Sequence, residues 1–239
     1  MKKLLSLTRA AIEKYNMISE GDKIAVGVSG GKDSVALLCA LAKLRAFYPV
    51  KFDIVAVTLD YRFNDEDGNF EPVKELCKEL DVEYVIKPTN LWKVIFEERK
   101  ESNPCSLCAK MRRGLLHDTA KELGCNKVAL GHHLDDAAET FIMNLFDGGR
   151  IDCFSPVSYL SRKDLYLIRP MIFIHEKDIS NTVKRLNLPV VKSKCPADRT
   201  TERENIKILL SRLEKEYPSL RQKIVGALQA DKISGWGIE

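Results

Sequence analysis

Four short, almost continuously apolar runs punctuate the first half of the chain: KIAVGV (23–28), FDIVAVTL (52–59), VEYVI (82–86) and KVALG (127–131). Runs of this length, rich in β-branched residues, predict strands buried on both faces. Each is followed by apolar residues at helical spacing, over roughly 33–47, 71–80, 106–123 and 135–147. Strand and helix alternating in this way predict an α/β fold with a doubly wound parallel sheet, which binds ligands at the carboxyl ends of its strands. After Gly148-Gly149 the pattern loosens. LYLIRP (165–170) predicts one more strand, while 175–187 and 202–229 read as helical, with Pro189, Pro196 and Pro218 marking breaks. The opening MKKLLSLTRAAIEKYNM predicts an amphipathic helix. The expected organisation is an N-terminal helical segment (1–20), an α/β domain (21–175) and an α-rich C-terminal extension (176–239) packed on that same domain.

Composition adds little to this picture except by exclusion. Hydrophobic residues make up 45% and charged residues 30%, enough to bury a sizeable core without disulfide or metal staples. Arg9, Glu13 and Lys14 interrupt the first helix, so it does not read as a secretion signal, and no apolar stretch reaches membrane-spanning length. A cytoplasmic protein is expected. Seven cysteines at irregular spacing do not form a disulfide framework. Cys39, Cys77, Cys125 and Cys153 sit among apolar residues and read as small buried hydrophobes.

The turn after the first strand carries chemistry. VGVSGGKDSVALLCAL (26–41) runs strand, glycine turn, helix, an arrangement that offers backbone N–H groups and a helix dipole to an anion. It is not a P-loop: three residues instead of four separate Gly27 from Gly31-Lys32, and Asp33 follows the lysine. What is present is Ser29-Gly30-Gly31-Lys32-Asp33-Ser34, which resembles the PP-loop of the ATP pyrophosphatases. That resemblance implies ATP binding and release of pyrophosphate, with Asp33 on Mg²⁺ beside the phosphates. A second constellation, Gly131-His132-His133-Leu134-Asp135-Asp136, follows the fourth predicted strand and therefore belongs at the same sheet edge. Read alone, Asp136 with Glu139 is equally a capping pair or a catalytic one. Beside the PP-loop it resembles that superfamily's second nucleotide motif. On this resemblance Asp136 handles Mg²⁺ or a proton, Gly131 and His132 border the nucleotide, and Thr58 and Leu59 border the adenine.

Cys105 and Cys108 differ from those four cysteines. Asn103-Pro104 reads as a helix cap and first position, which places both thiols in the opening turns and on one face. The helix dipole and Lys110, Arg112 and Arg113 favour thiolate there. Such a pair could bind metal, form a redox disulfide, carry a persulfide, or be structural. Four-cysteine zinc would need a second pair, which the chain lacks. Cys195, in the polar loop KSKCPAD, is the natural third partner, and three cysteines suit an iron–sulfur cluster with one open iron.

Several longer stretches now identify a family. NMISEGDKIAVGVSGGKDS (16–34), CSLCAKMRRG (105–114), KVALGHHLDDAAETFIMNLFDGGR (127–150) and IRP…EKDI (168–179) occur in the order seen in TtcA-like enzymes, which make 2-thiocytidine in tRNA. The third-cysteine segment, KCPADRTTER, has the Cys-Pro form of the related TtuA group of 2-thiouridine enzymes, which leaves the target nucleoside open. The resemblance implies a Rossmann-like PP-loop fold and a homodimer. It also implies a [4Fe-4S] cluster on Cys105, Cys108 and Cys195. In the implied reaction ATP adenylates a base carbonyl oxygen, and a sulfur species displaces AMP. Asp33 and Asp136 would be catalytic, and Arg112 would stabilise charge on the base. The sulfur donor would be a cysteine desulfurase or hydrosulfide.

Local charge agrees with an RNA substrate. Residues 184–207 carry seven basic and three acidic side chains, and 99–113 carry five and one, against a net +4 for the whole chain. Lys110, Arg113, Arg150, Lys192 and Lys194 are the expected contacts to RNA. Two other classes remain open: a PP-loop ligase of the lysidine- or amide-forming kind with incidental cysteines, and a non-catalytic nucleotide- or RNA-binding module.

Overall fold

The computed structural model describes residues 1–63, 66–99, 104–191, 195 and 202–237. Strands β1 (Asp22–Gly27), β2 (Phe52–Asp60), β3 (Glu83–Pro88), β4 (Lys127–Ala129), β5 (Val157–Leu160) and β6 (Leu165–Ile168) form one sheet in the order β3-β2-β1-β4-β6-β5. All pairings are parallel except β5 with β6. The expected parallel sheet is therefore closed at one edge by an antiparallel hairpin. VSYL supplies the additional strand; three of its residues are half-buried and Tyr159 is exposed, so it has no apolar run to announce it.

Alternation along the strands divides the core in two. Ile24 and Val26 of β1 and Ile54 and Ala56 of β2 face one layer. That layer is built with α1 (Lys2–Lys14), α2 (Lys32–Arg45), α3 (Glu71–Glu79), α5 (Leu134–Phe146), α6 (Glu176–Arg185) and α8 (Leu220–Ala230). Ala25, Val55, Val57 and Leu59 face the other layer, where α4 (Pro104–Glu122) packs through Leu116 and Ala120. This period of two is the physical reason that both strands read as continuously apolar: each face meets helices. A six-residue π-helix, Lys93–Glu98, precedes α4 and has no counterpart in the periodicity.

The C-terminal region is bound into the same layers. Pro218 divides the predicted 202–229 helix into α7 (Glu202–Glu216) and α8, and Ile206 and Leu210 of α7 pack on Ala138 of α5. Trp236 is fully buried, makes an edge contact with Tyr15 and donates its indole N–H to the Phe154 carbonyl (2.8 Å). The four cysteines expected in the core are there, at 1–5% exposure for Cys39, Cys77, Cys125 and Cys153.

The order 3-2-1-4 reverses direction between β1 and β4. Chain crossovers leave on opposite sides at such a point, and a crevice opens at the carboxyl ends of the two strands. The loops that leave β1 and β4 there are the two motifs singled out above. Among the described residues, no helix is long and apolar enough to cross a membrane.

Candidate active site

The PP-loop is a self-bonded turn. Gly30 has φ +82°, a left-handed conformation that favours glycine. The Ser34 hydroxyl donates to the Gly31 carbonyl (2.9 Å) and accepts from the Ser29 N–H (3.1 Å), while the Gly31 N–H donates to the Ser29 hydroxyl (3.3 Å). Gly31 then caps α2, and the first intrahelical bond runs from the Val35 N–H to the Gly31 carbonyl. The amides of Lys32, Asp33 and Ser34 thus occupy the first turn, where helix N–H groups lack helical acceptors and favour an anion. Thr58 lies beneath this turn: its hydroxyl donates to the Val28 carbonyl (2.6 Å) and accepts from Tyr84 (2.9 Å), fastening β2 to the end of β1. Leu59 is buried in the α4-side core.

The β4 loop approaches the PP-loop closely. A Cβ on Gly131 would lie 3.1 Å from the Asp33 carbonyl group, so this glycine admits the first turn of α2 itself. His133 caps α5 in a reciprocal box: its Nδ1 accepts from the Asp136 N–H, and the Asp136 carboxylate accepts from the His133 N–H (2.9 Å). The capping reading of Asp136 therefore holds, with His133 as partner in place of Glu139. The same imidazole leaves Nε2 between two carboxylates, 3.4 Å from Asp136 and 3.9 Å from Asp33. His132 packs its ring on Phe154 (5.0 Å between centroids), with Arg169 against the same phenyl ring. Burial, then Arg169, push the His132 imidazole down to about 4, so it is neutral near pH 7.

A chain of alternating charges joins the two motifs. Lys32 pairs with Asp33 (2.8 Å) and with Glu176 (3.0 Å), the first residue of α6, and Glu176 pairs in turn with Lys207 (2.7 Å). On the other side Arg203 pairs with Asp136 (3.1 Å), donates to the Thr140 hydroxyl (3.2 Å) and lies 3.7 Å from Glu139. Glu139 is only 3% exposed; burial, then the neighbouring Asp136, raise its carboxyl to about 7. Glu176 carried no role in the sequence reading, and Arg203 and Lys207 counted there only toward local charge. The quoted EKDI motif contains Glu176 and was its one signal; the α7 cations lie too far along the chain for any periodicity to pair them with the loops.

The cysteine segments converge on the same edge. Tyr61 directly follows β2 and hydrogen-bonds Arg112 of α4. Cys108 and Cys195 both act electrostatically on Arg112 and on Tyr61. Desolvation opposes charge on Arg112, yet Tyr61 and the two thiols outweigh it and raise its pKa. Both thiols are partly buried. Four residues before Cys195, the Val191 N–H donates to the Gly30 carbonyl (2.9 Å). Pro104 begins α4 as expected, whereas Asn103, the Cys105 side chain, Lys192 and Lys194 lie outside the described residues. Lys110, Arg113 and Arg150 are exposed. Among the described residues no three His, Cys, Asp or Glu side chains gather at metal-binding spacing. A cavity of about 570 Å³ lies at the opposite, amino edge of the sheet, around the bonded pair Asp22–Lys127 (2.7 Å), away from these groups.

Comparison with known proteins agrees with this layout. Residues 4–213 match the PP-loop domain family. The tRNA-cytidine(32) 2-sulfurtransferase of Geobacter sulfurreducens is 36% identical over 95% of this chain and 89% of its own length. That of Syntrophotalea carbinolica is 38% identical over 95% and 88%. Among solved structures, the U34-tRNA thiolase NcsA of Methanococcus maripaludis, determined with its [4Fe-4S] cluster, superposes with a TM-score of 0.75. It is 25% identical and covers 93% of this chain and 76% of its own. An NH3-dependent NAD synthetase of Campylobacter jejuni, 19% identical, shares the fold with a TM-score of 0.52, over 100% of this chain and 97% of its own. Matched by its PP-loop over most of its length and aligned almost end to end with these sulfurtransferases, the chain belongs to the PP-loop family, in its TtcA-like branch of ATP-dependent tRNA-thiolating enzymes.

Proposed function

We propose that this protein replaces the C2 oxygen of a tRNA pyrimidine by sulfur, forming 2-thiocytidine, after ATP has adenylated that oxygen. The observation that carries the reading is that Cys108 and Cys195 both lie within electrostatic reach of Arg112 on α4. A carbonyl oxygen leaves poorly until it is esterified, and an adenylate converts it into AMP. The first-turn amides of α2 and Lys32 would hold the phosphates, and the buried end of β2 at Thr58 and Leu59 would flank the adenine. Asp33 and Asp136, on either side of His133 Nε2, form a donor set suited to Mg²⁺, which would offset charge on the triphosphate. Arg112, within electrostatic reach of Cys108 and Cys195, would hold negative charge developing on the activated base.

Cysteine sulfurs close to an arginine suit a cluster, and Cys105, Cys108 and Cys195 are the residues that would hold it. A [4Fe-4S] cluster bound by three cysteines would supply one iron free of protein ligands, where hydrosulfide could be held directly, whereas the persulfide of a cysteine desulfurase would need two electrons from a reductant to give the same sulfide. Exposed Lys110, Arg113 and Arg150, with Lys192 and Lys194, would track the tRNA backbone. A homodimer is part of the same reading.

Mass spectrometry of tRNA nucleosides from cells lacking the gene tests the substrate. Loss of 2-thiocytidine is the expected result. Loss of 2-thiouridine would favour the second reading, supported by the likeness to the U34 thiolase and by Cys195-Pro196. Unchanged levels of both would refute thiolation. Iron and acid-labile sulfide in anaerobically purified Cys105→Ser, Cys108→Ser and Cys195→Ser proteins test the ligand set; each is expected to lose the cluster while still binding ATP.

A further inference from the structure

We propose that Arg169 anchors an anion site beside the β4 loop, built to take a phosphate group. Arg169 directly follows β6, and the chain beyond β6 runs along the β4 loop: the Leu130 N–H donates to the Ile168 carbonyl (3.0 Å), and His133 pairs with Met171 in a parallel bridge. The arginine therefore lies at the carboxyl edge of the sheet, next to His132. It is only 7% exposed, yet it makes no ion pair with a carboxylate among the described residues. Burial lowers its guanidinium to about 10; Cys153 opposes that shift, and Arg113 adds to it. Cys153 is no counterion, because burial lifts its thiol to about 12 and leaves it uncharged near neutrality. A buried cation without a counterion carries a large desolvation penalty, which an anion relieves.

The hydrogen bonds of Arg169 say which kind of anion fits. Nη1 donates to the Ser155 carbonyl and to the Ser158 hydroxyl (3.4 Å), and Cζ lies 4.9 Å from the centre of the Phe154 ring. Nε is sealed from solvent and has no partner among the described residues, and Nη2 makes no hydrogen bond there either. The free donors are thus Nε and Nη2, side by side on one edge of the fork, the pair that meets two oxygens of one phosphate or carboxylate. His132 packs on the same phenyl ring, and its Nδ1 is also buried without a partner among the described residues. Seating an anion requires the neighbours that cover Nε to give way, which a charge-assisted pair formed away from water offsets. On the function proposed above, on which the choice of ligand rests, the two reactants that bring anions to this edge, ATP and tRNA, both bring phosphate. The site is accordingly assigned a phosphate group of the nucleotide or of the RNA backbone.

The test uses the full-length, anaerobically purified protein, with calorimetry for the non-hydrolysable ATP analogue AMPCPP with Mg²⁺, and filter binding for unmodified tRNA. Arg169→Gln removes the charge and the paired donors. It is expected to weaken one ligand by at least about tenfold, the loss of a charge-assisted hydrogen bond, and to leave the other within about twofold. Loss confined to AMPCPP assigns the nucleotide phosphates. Loss confined to tRNA, with the salt slope of log K lower by about 1, assigns an RNA phosphodiester. Should Arg169→Gln not fold, Arg169→Lys, which keeps the charge but not the paired N–H edge, is expected to show a smaller loss in one ligand only. Unchanged affinity for both ligands, or a loss for tRNA with an unchanged slope in Arg169→Gln, would overturn the anion site and leave the proposed reaction intact. So would an equal loss of both ligands, the mark of a clamp on Ser155 and Ser158 that acts through the fold. Wild-type protein that binds neither ligand would overturn the site and the proposed function together.

Discussion

The contact between Gly30 and Val191 makes a quantitative prediction. An alanine at position 30 must adopt φ +82° and place its Cβ 2.8 Å from the Val191 Cβ, with Val191 Cγ2 at 3.3 Å. The left-handed conformation costs an L-residue about 1–2 kcal/mol, and overpacking adds about 1–3 kcal/mol, so Gly30→Ala should destabilise by about 2–5 kcal/mol. The two contributions separate in a double-mutant cycle. Val191→Gly removes the atom that clashes but leaves the backbone conformation as it is. The double variant should therefore recover about 1–3 kcal/mol relative to the sum of the single changes, and no more. Urea denaturation midpoints of the four proteins supply the stabilities, and AMPCPP calorimetry shows whether the PP-loop still binds. Strict additivity of the two substitutions would refute the argument, because it would mean that residue 191 does not limit the space at residue 30.

Two further predictions rest on charge. Glu139, raised to about 7 by burial and Asp136, favours the protonated form in the folded state. Its contribution to stability is complete below the ordinary value of 4.5 and is lost as pH rises through about 7. Between pH 5 and 8.5 the wild type should lose on the order of 2 kcal/mol relative to Glu139→Gln; parallel urea midpoints across that range would refute it. Lys110→Glu and Arg113→Glu should each weaken tRNA binding and lower the salt dependence of log K by about 1, measured by filter binding, while AMPCPP affinity stays the same. An unchanged salt slope would remove these side chains from the RNA surface.

Where periodicity is dictated by burial on two faces, the chain declares its structure. β1 and β2 are apolar throughout because helices cover both sides, and Gly30 marks the turn because its φ of +82° favours glycine. β5 is not legible for the opposite reason: its residues are half-exposed, and it is held by pairing with β6. The site divides in the same way. The PP-loop and the β4 loop are local motifs, and their meeting follows from strand order. The pairs of Arg203 with Asp136 and Lys207 with Glu176 are set by how α7 packs on α5, a tertiary fact that no local spacing encodes. At Gly131, expected to border the nucleotide, the α2 backbone approaches so closely that a Cβ would lie 3.1 Å from the Asp33 carbonyl group.

The distribution of the cysteines has a consequence for life in air. Burial lifts the thiols of Cys39 and Cys77 to about 11 and that of Cys153 to about 12, and raises Cys125 as well. Thiols of that kind carry almost no thiolate near neutrality and stay off the path to sulfenic and sulfinic acids. Cys108 and Cys195 are partly accessible, close to Arg112. Oxygen and peroxide would therefore reach the site before the core, leaving an intact but inactive protein that reduction restores while the damage stops at a disulfide or sulfenic acid.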